Sequence, residues 1–164
     1  NWEAARDANL DEIIDAIRPA GLANQKGARL QELLRQISAE RGSLDLSFLM
    51  KLPREEARAW LGKFKGIGPK TVAIVMQFAL GHAAFPVDTH IFRVTGRLGL
   101  RPLNMNVEDT HIWMESLFEE QQFGSGHLNL IRLGREICHA RKPACADCPL
   151  LKECDHPLLP TLHS

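Results

Sequence analysis

The residue best suited to covalent chemistry follows a glycine-rich turn. Residues 64–75 read FKGIGPKTVAIV, in which Pro69 and Lys70 open an apolar helical run. Lysine in the first turn of a helix faces the positive end of the helix dipole, at a cost on the order of half a kcal/mol if it is exposed. The same field favours the neutral amine, which a nucleophile requires. Lys70 is therefore a candidate nucleophile. The alternatives are a side chain that extends into solvent and a cation that binds phosphate.

The turn before Lys70 has the composition of a phosphate-binding hairpin. Gly66 and Gly68 permit positive φ angles and close approach of another backbone. The N–H groups at the start of the next helix attract anions. Lys63 and Lys65 flank the turn. These residues predict contact with a DNA phosphate without base reading. On the glycines alone, an ordinary helical hairpin is at least as good an interpretation.

A carboxylate follows eighteen residues after Lys70, in PVDTHIFRV. Asp88 stands where a helix begins, and an N-cap role worth about 1 kcal/mol would explain it. Capping and catalysis are compatible, because a carboxylate with one oxygen tied to backbone N–H groups can present the other. His90 is expected to hold local structure rather than to bind metal.

All four cysteines of the chain lie close together near its end, with the spacing C-x6-C-x2-C-x5-C. This clustering favours one metal centre in a reducing compartment over a disulfide framework. A zinc site usually has two close cysteine pairs, and only one such pair is present. The wider loops favour an iron–sulfur cluster, with zinc and unligated cysteines as alternatives. The four residues are Cys138, Cys145, Cys148 and Cys154.

Charge is unevenly distributed although the chain carries no net charge. Residues 51–101 contain nine basic and three acidic side chains, a local charge of +6. This segment could bind a polyanion. A solvated basic face is the more ordinary interpretation, and charge alone favours it.

Helical periodicity dominates the sequence. Apolar residues at positions 10, 13, 14 and 17, and again at 30, 33, 34 and 37, follow the spacing of one helix face. Further helices are predicted at 53–64, 69–80, 88–98, from Asn106 onward and at 127–138. Signals for β-strands and β-hairpins are weak, so an all-α fold is predicted. The sequence contains no run of about 18 consecutive apolar residues, so no membrane-spanning helix is predicted.

Taken together, these motifs resemble the endonuclease III branch of the helix-hairpin-helix DNA glycosylases. The resemblance rests on FKGIGPKTVAIV at 64–75, FPVDTHIFRVTGRLGL at 85–100 and the four cysteines, with weaker support from GLANQKGARL at 21–30. It implies a two-lobed fold, with a lobe at 1–82 that ends in the hairpin and a lobe at 83–164 that carries the cysteines. It also implies an intracellular monomer of the cytoplasm or nucleoid.

The resemblance assigns roles to particular residues. Lys70 matches the Schiff-base lysine, and Asp88 the catalytic aspartate. The four cysteines match the ligands of a structural or DNA-sensing [4Fe–4S] cluster. Leu22 matches a leucine that wedges into the base stack, and Lys142 a basic residue near the DNA backbone.

The implied activity is base-excision repair. The expected enzyme is a bifunctional DNA glycosylase and AP lyase that acts on double-stranded DNA with a damaged, oxidised pyrimidine or an abasic site. The alternatives are a uracil, thymine-mismatch or modified-pyrimidine glycosylase of the same fold, a non-catalytic iron–sulfur DNA-binding module, and a zinc-stabilised helical interaction domain.

The sequence departs from the family pattern in three respects. Pro69 stands where the best-known members carry arginine, although proline suits the first helical position. Tyrosine is absent. The segment that precedes these motifs in the family, and completes both lobes and the base pocket, is also missing from the sequence.

Overall fold

The structure, a computed structural model, describes residues 1–154 and 156. Its regular elements in that range are helices, with no β-strand, which confirms the all-α prediction. None of the helices in that range has the length and apolar character needed to cross a membrane. The α-helices, in chain order, are α1 (Trp2–Asp7), α2 (Leu10–Ile17), α3 (Ala23–Arg41), α4 (Arg54–Gly62), α5 (Pro69–Val75), α6 (Thr89–Arg97), α7 (Val107–Leu117) and α8 (Phe123–Glu136).

Most helix ends follow the local signals in the sequence. Gly42 ends α3 with a φ angle of 69°, a conformation that glycine adopts without strain. The Asn106 side chain caps α7 by accepting a hydrogen bond from the Asp109 N–H. Two elements differ from the prediction. The short helix α1 was not predicted, and α8 begins at Phe123 because a 3₁₀ turn with a capping box leads into it.

The buried side chains form two main apolar clusters. The first involves α4, α5 and the π-helical stretch Met76–Leu80 that continues α5, and the second involves α6, α7 and α8. The chain passes from one cluster to the other between Ala84 and Phe85. The division into lobes at 1–82 and 83–164 stays a prediction. The first cluster contains Leu49, Ala57, Leu61, Val72, Ala73, Met76, Leu80 and Ala84, and the second Phe85, Val87, Ile91, Val94, Met114, Phe123 and Leu130.

The chain crosses between the two clusters in residues 84–88, a connector without regular secondary structure whose five residues are all buried. Its backbone polar groups are satisfied by side chains from several elements, as buried polar groups must be. Glu115 accepts a hydrogen bond from the Phe85 N–H at 3.2 Å, and His111 Nδ1 lies 3.2 Å from the Val87 N. His127 Nδ1 lies 2.9 Å from the Pro86 carbonyl oxygen. These contacts fix the path of the chain into Asp88.

Candidate functional site

The glycine turn joins α4 to α5 as the sequence predicts. Gly66 has a φ angle of 92°, which strongly favours glycine. The Ile67 N–H donates to the Phe64 carbonyl at 3.1 Å, and the Ile67 side chain packs against the first apolar cluster. Gly66 and Gly68 are exposed, and a Cβ atom on Gly68 would meet nothing within 4 Å. The turn is therefore anchored by its apolar residues, while Gly68 faces open space and Gly66 lies against the Arg29 side chain.

Lys70 is the second residue of α5, as predicted, and its side chain is exposed. In the described part of the chain it makes no hydrogen bond or ion pair. The amine is therefore accessible to a ligand and is not neutralised by a neighbouring acid.

Asp88 caps α6, which confirms that part of the prediction. One carboxylate oxygen, Oδ1, accepts hydrogen bonds from the N–H groups of His90 at 2.9 Å and Ile91 at 2.8 Å. The residue is only 7% exposed. Both capping bonds use the same oxygen, which leaves Oδ2 available to stabilise a positive charge. Lys70 and Asp88 begin two different helices, and no hydrogen bond or ion pair joins them among the described residues.

Most cations of the basic segment 51–101 are engaged within the molecule. Lys63 pairs with Glu40 at 2.5 Å and lies over the rings of Trp60 and Phe64. Arg54 and Arg58 pair with acids, and Arg93, Arg97 and Arg101 donate to backbone carbonyls. Lys51, Lys65 and Lys70 are the three without such a partner in residues 1–154 and 156. Ion pairs therefore neutralise Arg54, Arg58 and Lys63, whereas the three arginines bound to carbonyls keep their charge but are held within the fold.

The predicted wedge and the predicted basic loop residue are both exposed. Leu22 precedes α3, follows Gly21, and has 70% of its surface accessible. Lys142 lies in the loop between the first two cysteines. Both have positive φ angles, although neither is glycine. The assignment of these residues to DNA contact stays a prediction.

The four cysteines line one cavity and none is in a disulfide. Burial raises the pKa of the Cys145 thiol, and negative charge on Cys138, Cys154 and Cys148 raises it further. Within the described range, no group of three or more His, Cys, Asp or Glu side chains is arranged to hold a metal ion. The donor set itself, four unpaired thiols around one cavity, fits a cluster with four thiolate ligands.

Two arginines on α6 hold the cysteine loop, and the sequence interpretation had given neither a role. Arg97 Nη1 lies 3.3 Å from Cys138 Sγ and donates to the His139 carbonyl at 2.7 Å. Arg93 donates to the carbonyls of Cys138 and Gly134. Their spacing of four residues on a predicted helix was the available signal, since it places both on one face.

A basic groove lies beside the hairpin and was also missed. Its cationic lining residues are Lys26 and Arg29 of α3 together with Lys65 of the turn. The Arg29 side chain runs along Gly66, where Cδ would lie 3.4 Å from a Cβ atom. Leu22, Lys26 and Arg29 are spaced i, i+4 and i+7, so the pattern of one helix face could have revealed the set.

Comparison with known proteins identifies the family. The sequence profile of the HhH-GPD superfamily of base excision DNA repair proteins matches residues 1–119, and the chain belongs to this superfamily. It is 30% identical to DNA glycosylase/AP lyase ROS1 of Arabidopsis thaliana over 95% of this chain and 12% of the relative. It is 33% identical to Endonuclease III of Bacillus subtilis over 88% of this chain and 62% of the relative.

A solved structure supports the same fold. A non-covalent Endonuclease III–DNA complex superposes with a TM-score of 0.81 and 28% identity, over 99% of this chain and 72% of the other. The helix-hairpin-helix glycosylase fold expected from the sequence is therefore confirmed. The chain spans only 9–13% of the length of the large plant relatives of the ROS1 and DEMETER type that it matches.

Proposed function

We propose that this chain is the catalytic part of a base-excision repair DNA glycosylase with AP lyase activity, which removes an oxidised pyrimidine. The observation that carries the proposal is the accessible Lys70 amine, unpaired in the first turn of the hairpin helix α5. The family sequence match and the likeness to an Endonuclease III–DNA complex support it. A glycosylase that activates water has no need of this lysine, so Lys70 favours the bifunctional reaction.

DNA binding positions the reaction. Exposed N–H groups of the hairpin hold a backbone phosphate, with Gly66 and Gly68 allowing its close approach. Lys65 and Lys142 contribute positive charge, and Lys63 contributes only if it leaves Glu40. Leu22 enters the base stack where the damaged base flips out.

Lys70 then performs the covalent step. Its neutral Nζ forms a bond to the sugar C1′, and the bond between C1′ and the base breaks, with the electron pair leaving on the base. Positive charge that develops on the sugar is stabilised by Asp88, whose Oδ1 is held by the backbone. Nζ gives up one proton, which neutralises the departing base, and the C1′–O4′ bond breaks with its electron pair on O4′, which takes a proton from solvent; the product is a protonated Schiff base between Nζ and C1′. Loss of a C2′ proton breaks the C3′–O bond by β-elimination, and water later releases the lysine.

The cysteines are proposed to hold a [4Fe–4S] cluster that organises the loop bearing Lys142. Cys138, Cys145, Cys148 and Cys154 would be its ligands, and when bound it supplies structural order and no step of base removal. Arg93 and Arg97 already attach this loop to α6 through Cys138 and its neighbours. Absorption near 400 nm and about four irons per chain are expected, whereas a colourless zinc protein would contradict the cluster.

Borohydride trapping tests the lysine. The purified protein is incubated with an abasic duplex and borohydride, which reduces a Schiff base to a stable adduct. Wild type and Lys51→Ala, a change at an exposed lysine outside the hairpin sequence, are expected to give the adduct, and Lys70→Ala none. Failure of wild type, or equal trapping of Lys70→Ala, would contradict the proposal.

A substrate panel tests the base. Duplexes with an oxidised pyrimidine, uracil, a G·T mismatch or another modified pyrimidine are compared for base release. The oxidised pyrimidine is expected to be released fastest. Faster release of another base would change the assigned substrate and leave the proposed glycosylase and lyase reaction in place. Binding of damaged duplex without strand nicking would instead identify a non-catalytic module.

A further inference from the structure

We propose that Lys26, Arg29 and Lys65 form a second phosphate-binding site, on the α3 side of the hairpin. This site would hold a backbone phosphate of the DNA strand that Leu22 enters. It deepens the proposed function, on which it rests, and adds a contact beyond the hairpin amides. The three side chains line a groove of about 360 Å³, together with Leu30, Leu33, Gly66, Ile67 and Thr71.

The charge of the groove is uncompensated. No acidic side chain is among its lining residues, and Arg29 and Lys65 form no ion pair within the described range. Lys26 donates only to the Ala20 carbonyl, at 2.9 Å, and keeps its full charge. Lys63, two residues before Lys65, differs from these three cations because it forms an ion pair with Glu40. Three cations that share a groove without an acid repel one another, and an anion would relieve that repulsion.

The shape of the groove also fits a backbone phosphate. The Arg29 side chain lies against Gly66, close to the exposed backbone of the turn. Its guanidinium can bind a phosphate through two parallel N–H bonds. Leu22, Lys26 and Arg29 share one face of α3, so the cations lie about one and two turns along the helix from the wedge. A strand entered by Leu22 would follow this face toward the hairpin.

The test is the salt dependence of DNA binding. Dissociation constants of the whole protein for a duplex with a stable abasic-site analogue are measured by fluorescence anisotropy across a series of KCl concentrations. Loss of one phosphate contact lowers the slope of log K against log [KCl] by about 0.9 in magnitude. This decrease is expected for Arg29→Gln and for Lys65→Gln, whereas Arg29→Lys should retain most of the slope.

Arg35→Gln is the matched control, because Arg35 is an exposed arginine of α3 that lies outside the groove. Its slope should equal that of wild type. Equal slopes for Arg29→Gln, Lys65→Gln and Arg35→Gln would overturn the second phosphate site. If wild type is still trapped by borohydride in that case, the proposed lyase survives and the groove alone fails. If wild type neither binds the duplex nor is trapped, both proposals fail.

Discussion

Leu22 and Lys142 share a left-handed backbone conformation, with φ angles of 55° and 50°, and are the two non-glycine residues in the described part of the chain with positive φ. Such a conformation costs roughly 1–2 kcal/mol in residues other than glycine. Backbone strain of this kind is concentrated at functional sites. Both residues are exposed, and the family resemblance assigns both to DNA contact. The backbone thus supports, independently of side-chain type, a functional role at these two positions.

Replacing Leu22 with glycine should separate stability from activity. Leu22→Gly relieves the left-handed strain and removes an exposed side chain, so the free energy of unfolding should rise by about 1 kcal/mol. Release of a damaged base should fall by roughly tenfold, because the wedge that supports base flipping is gone. Urea denaturation and a base-release assay measure the two effects.

Leu103→Gly provides the control for this prediction. Leu103 is even more exposed than Leu22 but does not have a positive φ angle. The control should leave base release unchanged and should not stabilise the protein. A loss of stability in Leu22→Gly would show that the leucine side chain holds the fold.

Two substitutions at Asp88 should separate its contribution to helix capping from its contribution to catalysis. Asparagine caps helices about as well as aspartate, so Asp88→Asn should change the free energy of unfolding by less than about 0.5 kcal/mol. It removes the negative charge, so strand cleavage should fall at least tenfold. Asp88→Ala also leaves the N–H groups of His90 and Ile91 without their acceptor and should cost about 1–2 kcal/mol. Unchanged cleavage by Asp88→Asn would favour a non-catalytic DNA-binding module.

The two glycines of the hairpin should respond differently to alanine. At Gly66 the φ angle of 92° disfavours a side chain, and a new Cβ would only touch Arg29 at 3.4 Å, so the backbone conformation alone should make Gly66→Ala cost about 1–2 kcal/mol. At Gly68 the φ angle is −87° and the added Cβ meets nothing, so Gly68→Ala should leave stability unchanged.

Both substitutions should weaken binding to an abasic duplex, because a Cβ at either position keeps a phosphate away from the turn. Thermal denaturation and fluorescence anisotropy distinguish the two effects. If Gly68→Ala binds as tightly as wild type, the hairpin backbone does not approach DNA at that residue.

Local signals in the sequence predicted the features that depend on a few neighbouring residues. The cap at Asp88, the position of Lys70 in its helix and the glycine turn follow from rules that span four or five residues. Clustering of the cysteines predicted one metal centre, which stays a prediction, and the structure places all four around one cavity. Helical periodicity also depends only on neighbouring residues, and it correctly predicted the all-α fold.

Features that depend on distant partners could not be predicted in this way. Lys63 was expected to be free for DNA, yet Glu40, from a different helix, pairs with it. Arg97 reaches a cysteine loop that lies about 40 residues further along the chain. Sequence charge counts every cation equally, whereas the fold determines which of them remain available.

Acid should weaken the fold through His111. Burial lowers the pKa of this ring below its ordinary value of 6.5, although a hydrogen bond with Phe85 and the charge of Glu115 act in the opposite direction. Its Nδ1 lies 3.2 Å from the Val87 N and 3.1 Å from the Phe85 carbonyl oxygen. Nδ1 can accept from the Val87 N–H only while it carries no proton, and once protonated it can donate to the Phe85 carbonyl instead. Protonation would therefore disturb the connector that leads into Asp88.

The direction of the pH effect follows from the lowered pKa. Between the folded and unfolded pKa values, the unfolded chain binds a proton that the folded chain does not. The stability contributed by neutral His111 is therefore complete above about pH 6.5 and decreases as the pH falls below that value, by at most about 1.4 kcal/mol per pH unit. It reaches its lower limit once the folded ring is protonated as well.

His111→Asn measures this contribution, because an asparagine oxygen can accept from the Val87 N–H and does not titrate. Urea unfolding is compared at pH 7.5 and pH 5.5 for both proteins. Wild type should lose more stability than His111→Asn over this interval, and the difference isolates His111 from the other titrating groups. Parallel losses would show that the acid sensitivity of the fold arises elsewhere. A corresponding extra loss of base release in wild type would show that the connector controls the placement of Asp88.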